Sequence, residues 1–420
     1  MSDALSAGLP QPSAERLAGD LRALETFTRP DRPYTRRAFS DEDRSARQWL
    51  TGRMVEAGLG PAVDAAGNQI GRRAGARPGP ALVIGSHLDT VEAGGRFDGI
   101  AGVLAGLEVA RCLDAGGHRL EHAFEVINFT CEEPSDFGLS TIGSRAMSGK
   151  LDGATAARLR DRQGRSLAAA IDSVGGRGAE LDTARRAPGD VLRYLELHIE
   201  QAVSLDRAGL PLGVVTTIAA PSRYRVAVRG RQDHAGGTPM ADRRDAVAAA
   251  AELVLLVERL AREAGRGMVG TVGFIEARPN MINIVPGEAD LLVDFRGIDP
   301  AAIAETLGRF ETGTAEIAAR RRVAIEWTSL MRDAPLTVAP EMVAAVETAA
   351  RALGIPHRRL TSGASHDANH VASLCPIGLL FIPCREGRSH CPEEWAEATH
   401  LATAAQVLLE VLLRLDRDLA

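Results

Sequence analysis

The run IGSHLDTVEAGGRFDG, residues 84–99, places His87 at the end of an apolar stretch, Asp89 two positions on, and Asp98 in a glycine-rich loop. A histidine held by a carboxylate is the usual arrangement of a metal ligand, because the carboxylate fixes the ring tautomer and raises its basicity. INFTCEEPSDFG, from Ile127 to Gly138, ends another apolar run in two adjacent glutamates, Glu132 and Glu133. Neighbours on a strand face opposite ways. The pair therefore serves two environments, or lies just past the strand end where both can turn inward. Two carboxylates in one low-dielectric cleft repel unless cations or a shared proton intervene. A pair of metal ions resolves the conflict: one glutamate ligates while the other accepts a proton from water. YLELHIEQ (194–201) carries His198 late in an alternating strand. SGASHDANH (362–370) and CREGRSHCPEEW (384–395) bring further histidines, His390 among them, next to predicted strands.

Each cluster also has a plain reading. His-x-Asp describes a capped loop, Glu132 and Glu133 can cap the next helix from solvent, and His198 can be a core histidine satisfied by hydrogen bonds. His390 can be an ordinary loop histidine. Together they supply His, Asp and Glu at strand ends, with no cysteine among them. Such nitrogen and oxygen donors suit zinc, manganese, cobalt or nickel. Two such ions about 3.5–4 Å apart, bridged by a carboxylate and a water, make a hydrolytic centre.

The elements that must position these residues read as α/β. Amphipathic helices are expected over 14–28 and 40–57, the second with Ser40 as N-cap ahead of Asp-Glu-Asp. A hairpin over 61–73, a buried strand PALVIGSH, a helix over 99–117 and a strand EHAFEVINFT follow. This alternation predicts a mostly parallel mixed sheet with helices on both faces. Near Val214 the pattern changes to β-α-β-β-α-β, with a long alanine-rich helix over 239–263, the order of a ferredoxin-like sandwich. After about Met331 the α/β signals return, with helices over 339–352 and 396–416 and strands near 357–361 and 377–383. The expected organisation is a catalytic domain of residues 1–212 and 332–420, interrupted by an α+β domain of residues 213–331. Residues 158–187 read as a helix–loop–helix surface elaboration.

The totals limit the function. A chain of 420 residues, 45% hydrophobic, has ample core for two domains. A net charge of −6 is not the basic footprint of a nucleic-acid binder. Five cysteines without a CxxC pair read as reduced thiols. The first residues hold no long apolar core, and no apolar run is long enough to span a bilayer. The expectation is a cytoplasmic protein with neither nucleic-acid nor membrane partner.

GSHLDTV…GGRFDG, NFTCEEPSDFG…STIGSR, LHIEQ, DHAGGTPM, NMINIVPGEADLLVDFR and GRSHCPEE, in this order from about Arg36 to about Ala398, resemble the amidase, hydantoinase/carbamoylase family. Its members include N-carbamoyl-L-amino acid hydrolases, allantoate amidohydrolases and β-ureidopropionases, in the clan of di-zinc exopeptidases and aminoacylases. The resemblance implies two divalent ions per subunit, zinc or else manganese, cobalt or nickel. One would be held by His87, Asp98 and His198, the other by Asp98, Glu133 and His390, so that Asp98 bridges. It makes Glu132 the general base and Asp89 the residue that orients His87. It places Gln201, Asn283, Arg296, Gly363 and His366 around the substrate, with Arg296 on a substrate carboxylate. It gives the inserted domain the part of a lid and dimerisation domain, and lets His234 reach the active site of the other subunit in a homodimer. The implied reaction is hydrolysis of a linear C–N amide, foremost an N-carbamoyl-L-amino acid, with allantoate and N-acyl amino acids or dipeptides as alternatives. A metal-free binding protein on this scaffold is a remoter alternative. Ala202, Gly237, Ser365 and Arg388 depart from the family pattern; Ala202, Ser365 and Arg388 lie near the expected substrate and bear on its identity rather than on the chemistry.

Overall fold

The structure is a computed structural model and describes residues 4–420. The chain forms two compact units. The first holds the chain up to Thr216 together with Val338–Leu360 and His366–Ala420, and the second holds Thr217–Thr337 and Thr361–Ser365.

In the first unit the sheet runs in the order Gly60–Val63, Gln69–Arg73, Ala123–Phe129, Ala81–His87, Val191–Ile199, Ile377–Ile382, Leu212–Ile218. The four strands from Ala123–Phe129 to Ile377–Ile382 are mutually parallel, and the flanking pairs are antiparallel. Strands Ala81–His87, Ala123–Phe129 and Ile377–Ile382 are buried at every position. Their unbroken apolar runs have no solvent face because helices cover both sides. Ile100–Ala115 packs on this sheet, as does the last helix, Ala398–Leu419. The latter is the one helix among the described residues long and apolar enough to cross a membrane. Its Leu401, Leu408, Leu412 and Leu415 are buried inside the protein, as in a core helix.

In the second unit four antiparallel strands lie in the order Ala324–Arg332, Ala220–Arg229, Glu288–Gly297, Val269–Arg278. With helices Ala246–Ala264 and Pro300–Arg321 this is the β-α-β-β-α-β sandwich, its strands arranged fourth, first, third, second. Alternation sorts the faces. Tyr224, Val226 and Val228 join Leu291, Val293 and Phe295 in a core with Leu253, Val257 and Phe310. The intervening Arg223 and Arg225 bond to Asp294 and Asp290, at 3.1 and 3.4 Å.

Two segments differ from expectation. The long helix begins at Ala246, not 239, because the Asp245 side chain accepts from the N–H groups of Val247 and Ala248 and sets the start there. Only a 3-10 turn, Met240–Asp242, precedes it. The 158–187 region holds one short α-helix, Leu167–Asp172, and a 3-10 segment, Gly178–Ala184, rather than a helix–loop–helix. It is not merely surface: Leu167, Ala170, Ile171 and Leu181 close a small core with Phe39 and Phe137. All five cysteines are free.

Candidate active site

The carboxyl ends of the parallel strands bring the chemistry together. His87 ends its strand with Nδ1 3.0 Å from the Asp89 backbone carbonyl. A carbonyl only accepts, so Nδ1 carries the proton and Nε2 presents its lone pair. His198 repeats this: its Nδ1 lies 3.2 Å from the Ile199 carbonyl and its Nε2 3.1 Å from Asp98 Oδ1. His390 Nε2 meets the other oxygen, Asp98 Oδ2, at 2.9 Å, and Glu133 Oε1 at 3.4 Å. Asp98 thus stands between two histidines, one on each oxygen. His87, Asp98 and His198 offer ligand atoms within 4.8 Å of one another, and so do Asp98, Glu133 and His390.

Glu132 and Glu133 lie past the end of Ala123–Phe129, beyond Cys131, whose φ is 55°. The left-handed turn swings both inward, and Glu132 Oε2 comes within 3.5 Å of His87 Nε2. They do not cap the next helix with their side chains. Their own N–H groups donate to Asp89, Glu132 to Oδ1 at 3.2 Å and Glu133 to Oδ2 at 3.1 Å. Asp89 thus meets both His87 and the glutamate pair, through different atoms. The hydrogen bond to His87 comes from the Asp89 main chain, with its Oδ1 3.6 Å from Nδ1, while its carboxylate fixes the glutamate pair.

The electrostatics carry the mark of crowded acids. Burial, then the neighbouring Glu133, pushes the Glu132 carboxyl well above its usual range. Burial and Asp98 do the same to Glu133. Burial raises Asp89 to about 6, tempered by the N–H groups of Glu133 and Glu132. Burial also works against ionised Asp98, yet His198, His390 and His87 together hold it below the carboxylate range. The hydrogen bond to Asp98 raises His390 to about 9, and burial lowers His87 to about 4. This donor set fits divalent cations. Imidazole lone pairs face carboxylates, the remaining ring nitrogens of His87 and His198 are engaged by main-chain carbonyls, and the acids repel one another when no cation is near.

The backbone is bent to suit the site. Gln201 and His390 have φ of 54° and 56°, left-handed values that cost energy for residues other than glycine. Gln201 Nε2 donates to Asp98 Oδ1 at 3.0 Å, and so touches the cluster itself. Gly99, with φ of 68°, starts the helix Ile100–Ala115, and a Cβ there would stand 2.2 Å from His87 Nε2. His366 is buried edge-to-face against His198, their centroids 4.6 Å apart.

The other expected residues belong to the second unit. His234 is exposed in a short strand paired with Ile284–Val285, and its Nδ1 accepts from the N–H groups of Gly236 and Gly237 at 3.1 and 3.0 Å. That leaves Nε2 as the protonated, outward donor. The carbonyl of Asn283 accepts from Ala235 N–H at 3.0 Å. Arg296 is held by Asp294, with Nε 3.2 Å from Oδ2, and its Nη1 lies 3.3 Å from the Gly363 carbonyl.

Among the buried acids that the sequence does not single out, Glu196, Asp367 and Glu394 lie closest to this chemistry. Burial raises Glu196 to about 8, although Ala368 N–H and Tyr194 hydroxyl donate to it at 2.9 and 3.0 Å. Asp367 accepts from Ser144 Oγ at 2.5 Å. The signal for Glu196 lay in Tyr194-x-Glu196-x-His198, three polar tips on one face of a strand whose last intervening residues, Leu195, Leu197 and Ile199, are apolar.

The strand ends of the parallel sheet gather imidazoles and carboxylates into two groups able to hold metal ions. The family pattern of peptidase family M20/M25/M40 matches residues 83–414. An N-carbamoyl-L-amino-acid amidohydrolase of Paenarthrobacter aurescens is 39% identical over 97% of this chain and 100% of its own length. A ureidoglycolate hydrolase of Arabidopsis thaliana is 36% identical over 96% of this chain and 87% of its own. Among solved structures, AtUAH in complex with glyoxylate superposes with a TM-score of 0.89 at 35% identity, covering 99% of this chain and 100% of that one. An amidase of the hydantoinase/carbamoylase family from Burkholderia multivorans gives 0.85 at 34%, covering 96% and 98%. The chain belongs to peptidase family M20/M25/M40, within its hydantoinase/carbamoylase amidases. It is an amidohydrolase acting on carbon–nitrogen bonds other than peptide bonds.

Proposed function

We propose that this protein hydrolyses an N-carbamoyl-L-amino acid to the amino acid, ammonia and carbon dioxide, using two divalent ions per subunit. The observation that carries the reading is Asp98, whose two oxygens meet His198 and His390 at 3.1 and 2.9 Å. His87, Asp98 and His198 would hold one ion, and Asp98, Glu133 and His390 the other. When bound, the ions make water more acidic and polarise the scissile carbonyl.

Glu132 takes the proton from the attacking water as oxygen bonds to the carbamoyl carbon. Its raised affinity for a proton, from burial beside Glu133, suits a base that must hold the proton and return it. Glu132 then protonates the leaving amine, the C–N bond breaks, and the released carbamic acid falls apart to ammonia and carbon dioxide. Asp89 keeps Glu132 and Glu133 in register through their N–H groups.

His234 of the partner subunit would donate from Nε2 to the developing oxyanion. Arg296, Asn283, Gln201, Gly363 and His366 would bind the substrate, Arg296 at its carboxylate. The second unit would then act as lid and dimerisation domain. A second reading, hydrolysis of a ureidoglycolate-like substrate, is favoured by the Arabidopsis relative and by AtUAH, which binds glyoxylate.

Ammonia release by metal-reconstituted protein tests this. N-carbamoyl-L-amino acids, ureidoglycolate and allantoate are offered side by side, with chelated protein as control. Metal-dependent release from the carbamoyl panel is the expected result. Release from ureidoglycolate or allantoate alone would replace the substrate assignment, and silence with two metals bound would move the search to N-acyl amino acids and dipeptides.

A further inference from the structure

Asp98 sits in a loop, Gly94–Gly99, that no strand or helix holds. Its position is nevertheless set from far along the chain. Glu394, fully buried, accepts on Oε1 from the N–H groups of Phe97 at 2.8 Å and Asp98 at 3.0 Å. Its Oε2 accepts from Ser389 Oγ at 2.7 Å, next to His390. Gln201 Nε2 reaches Ser389 Oγ at 3.3 Å and Asp98 Oδ1 at 3.0 Å. The contacts close a ring through Glu394, Ser389, Gln201 and Asp98. Gly95 makes room for it, since a Cβ there would fall 1.9 Å from the Glu394 carboxylate.

A carboxylate that bridges two ions must hold both oxygens in place against two sets of ligands. The loop carrying Asp98 and the loop carrying His390 have to keep a fixed separation, and Glu394 is the carboxylate that bonds the main chain of the first and Ser389 of the second. We propose that Glu394 is a positioning residue of the metal centre, which sets the spacing between Asp98 and His390 through two main-chain N–H groups and Ser389. It touches neither substrate nor ligand atom and acts through the residues it holds. The inference rests on the two-ion reading of the site.

The test reads metal rather than turnover. Zinc content and affinity are measured for the wild type, Glu394→Ala, Glu394→Gln and Ser389→Ala, after stripping and titration with buffered zinc. Glutamine keeps one oxygen for the two N–H groups, so Glu394→Gln should retain most of the affinity. Glu394→Ala should lose about 10- to 100-fold, the usual cost of removing a partner that orients a ligand, and Ser389→Ala should fall between. Two ions at wild-type affinity in folded Glu394→Ala would overturn the proposal. If that variant does not fold, wild-type affinity in folded Ser389→Ala together with a 10-fold or larger loss in Glu394→Gln would do so. Fewer than two ions in the wild type would instead refute the two-ion reading.

Discussion

Glu132→Gln separates two effects of one carboxylate. As the proton acceptor, Glu132 should be worth about 10²–10⁴ in rate, or about 3–5 kcal/mol of transition-state stabilisation. In the metal-free protein the same group is a liability. It lies 3.5 Å from His87 but is crowded by Glu133, Asp367, Asp89 and Asp98, which oppose its ionisation together with burial. Glutamine removes an acid that the fold must either ionise beside like charges or keep protonated against its ordinary range, which should stabilise the chelated protein at neutral pH by of order 1–3 kcal/mol. Glutamine keeps the size, and the N–H bond to Asp89 is untouched because it is main chain. The assay pairs kcat/KM of the metal-loaded variant with thermal unfolding of the stripped one. Activity should collapse while the Tm of stripped protein rises. A folded, metal-loaded variant at near-normal rate refutes the base. A fall in the Tm of stripped protein refutes the account of crowded acids.

The metal-free protein should also lose stability as pH rises. Asp89 and Glu196 have folded pKa values raised to about 6 and about 8, so the folded state holds more protons than the unfolded chain, where the ordinary values are 3.8 and 4.5. Their contribution is full below those ordinary values and is lost as pH climbs through 6 and then 8. His390, raised to about 9, acts in the same sense, whereas His87, lowered to about 4, opposes it between pH 4 and 6.5. Unfolding in chelator at pH 6.5 and 8.5 checks this, and a flat or rising Tm would contradict it. Gly99→Ala should abolish metal binding to His87, because its Cβ would meet the ring at 2.2 Å from a backbone with φ of 68°; zinc content of the purified variant is the readout. Asp245→Ala should cost about 1 kcal/mol by uncapping Ala246–Ala264, and denaturant unfolding with no loss at all would argue against the cap.

What the sequence made legible follows from what periodicity encodes. Strands covered on both faces read as unbroken apolar runs, as at Ala81–His87, and an alternating β-α-β-β-α-β order needs no partner to be seen. The strand order of either sheet is a matter of pairing between distant segments and leaves no local trace. His87 and His198 stand out because a polar group closing an apolar strand is conspicuous, and Asp98 because it lies in the glycine-rich loop after the first of them. Glu394 and Asp367 did not, because in CPEEW and SHDAN they look like any loop acid until burial and partners are known. Asp89 was found for its spacing, yet its carboxylate serves Glu132 and Glu133, a task spacing does not reveal. The start of the long helix was missed because alanine-rich periodicity says where a helix can run, while Asp245 decides where it begins.

The pairing of Ile377–Ile382 with Val191–Ile199 has a bearing on how the protein is made. On the ribosome, His87, Asp98, Glu133 and His198 emerge long before the strand that carries the sheet on to His390. The nascent chain must bring the second unit's entire length into being before the first unit can finish its sheet. Until then the N-terminal acids crowd one another without their last imidazole. Contacts spanning nearly three hundred positions, such as Glu394 to Phe97, close last and at high entropic cost. A ribosome stalled before residue 377 would therefore carry a sheet without its neighbour to Val191–Ile199 and a cluster short of one histidine. The two candidate ligand groups are therefore both complete only once the last third of the chain has been made.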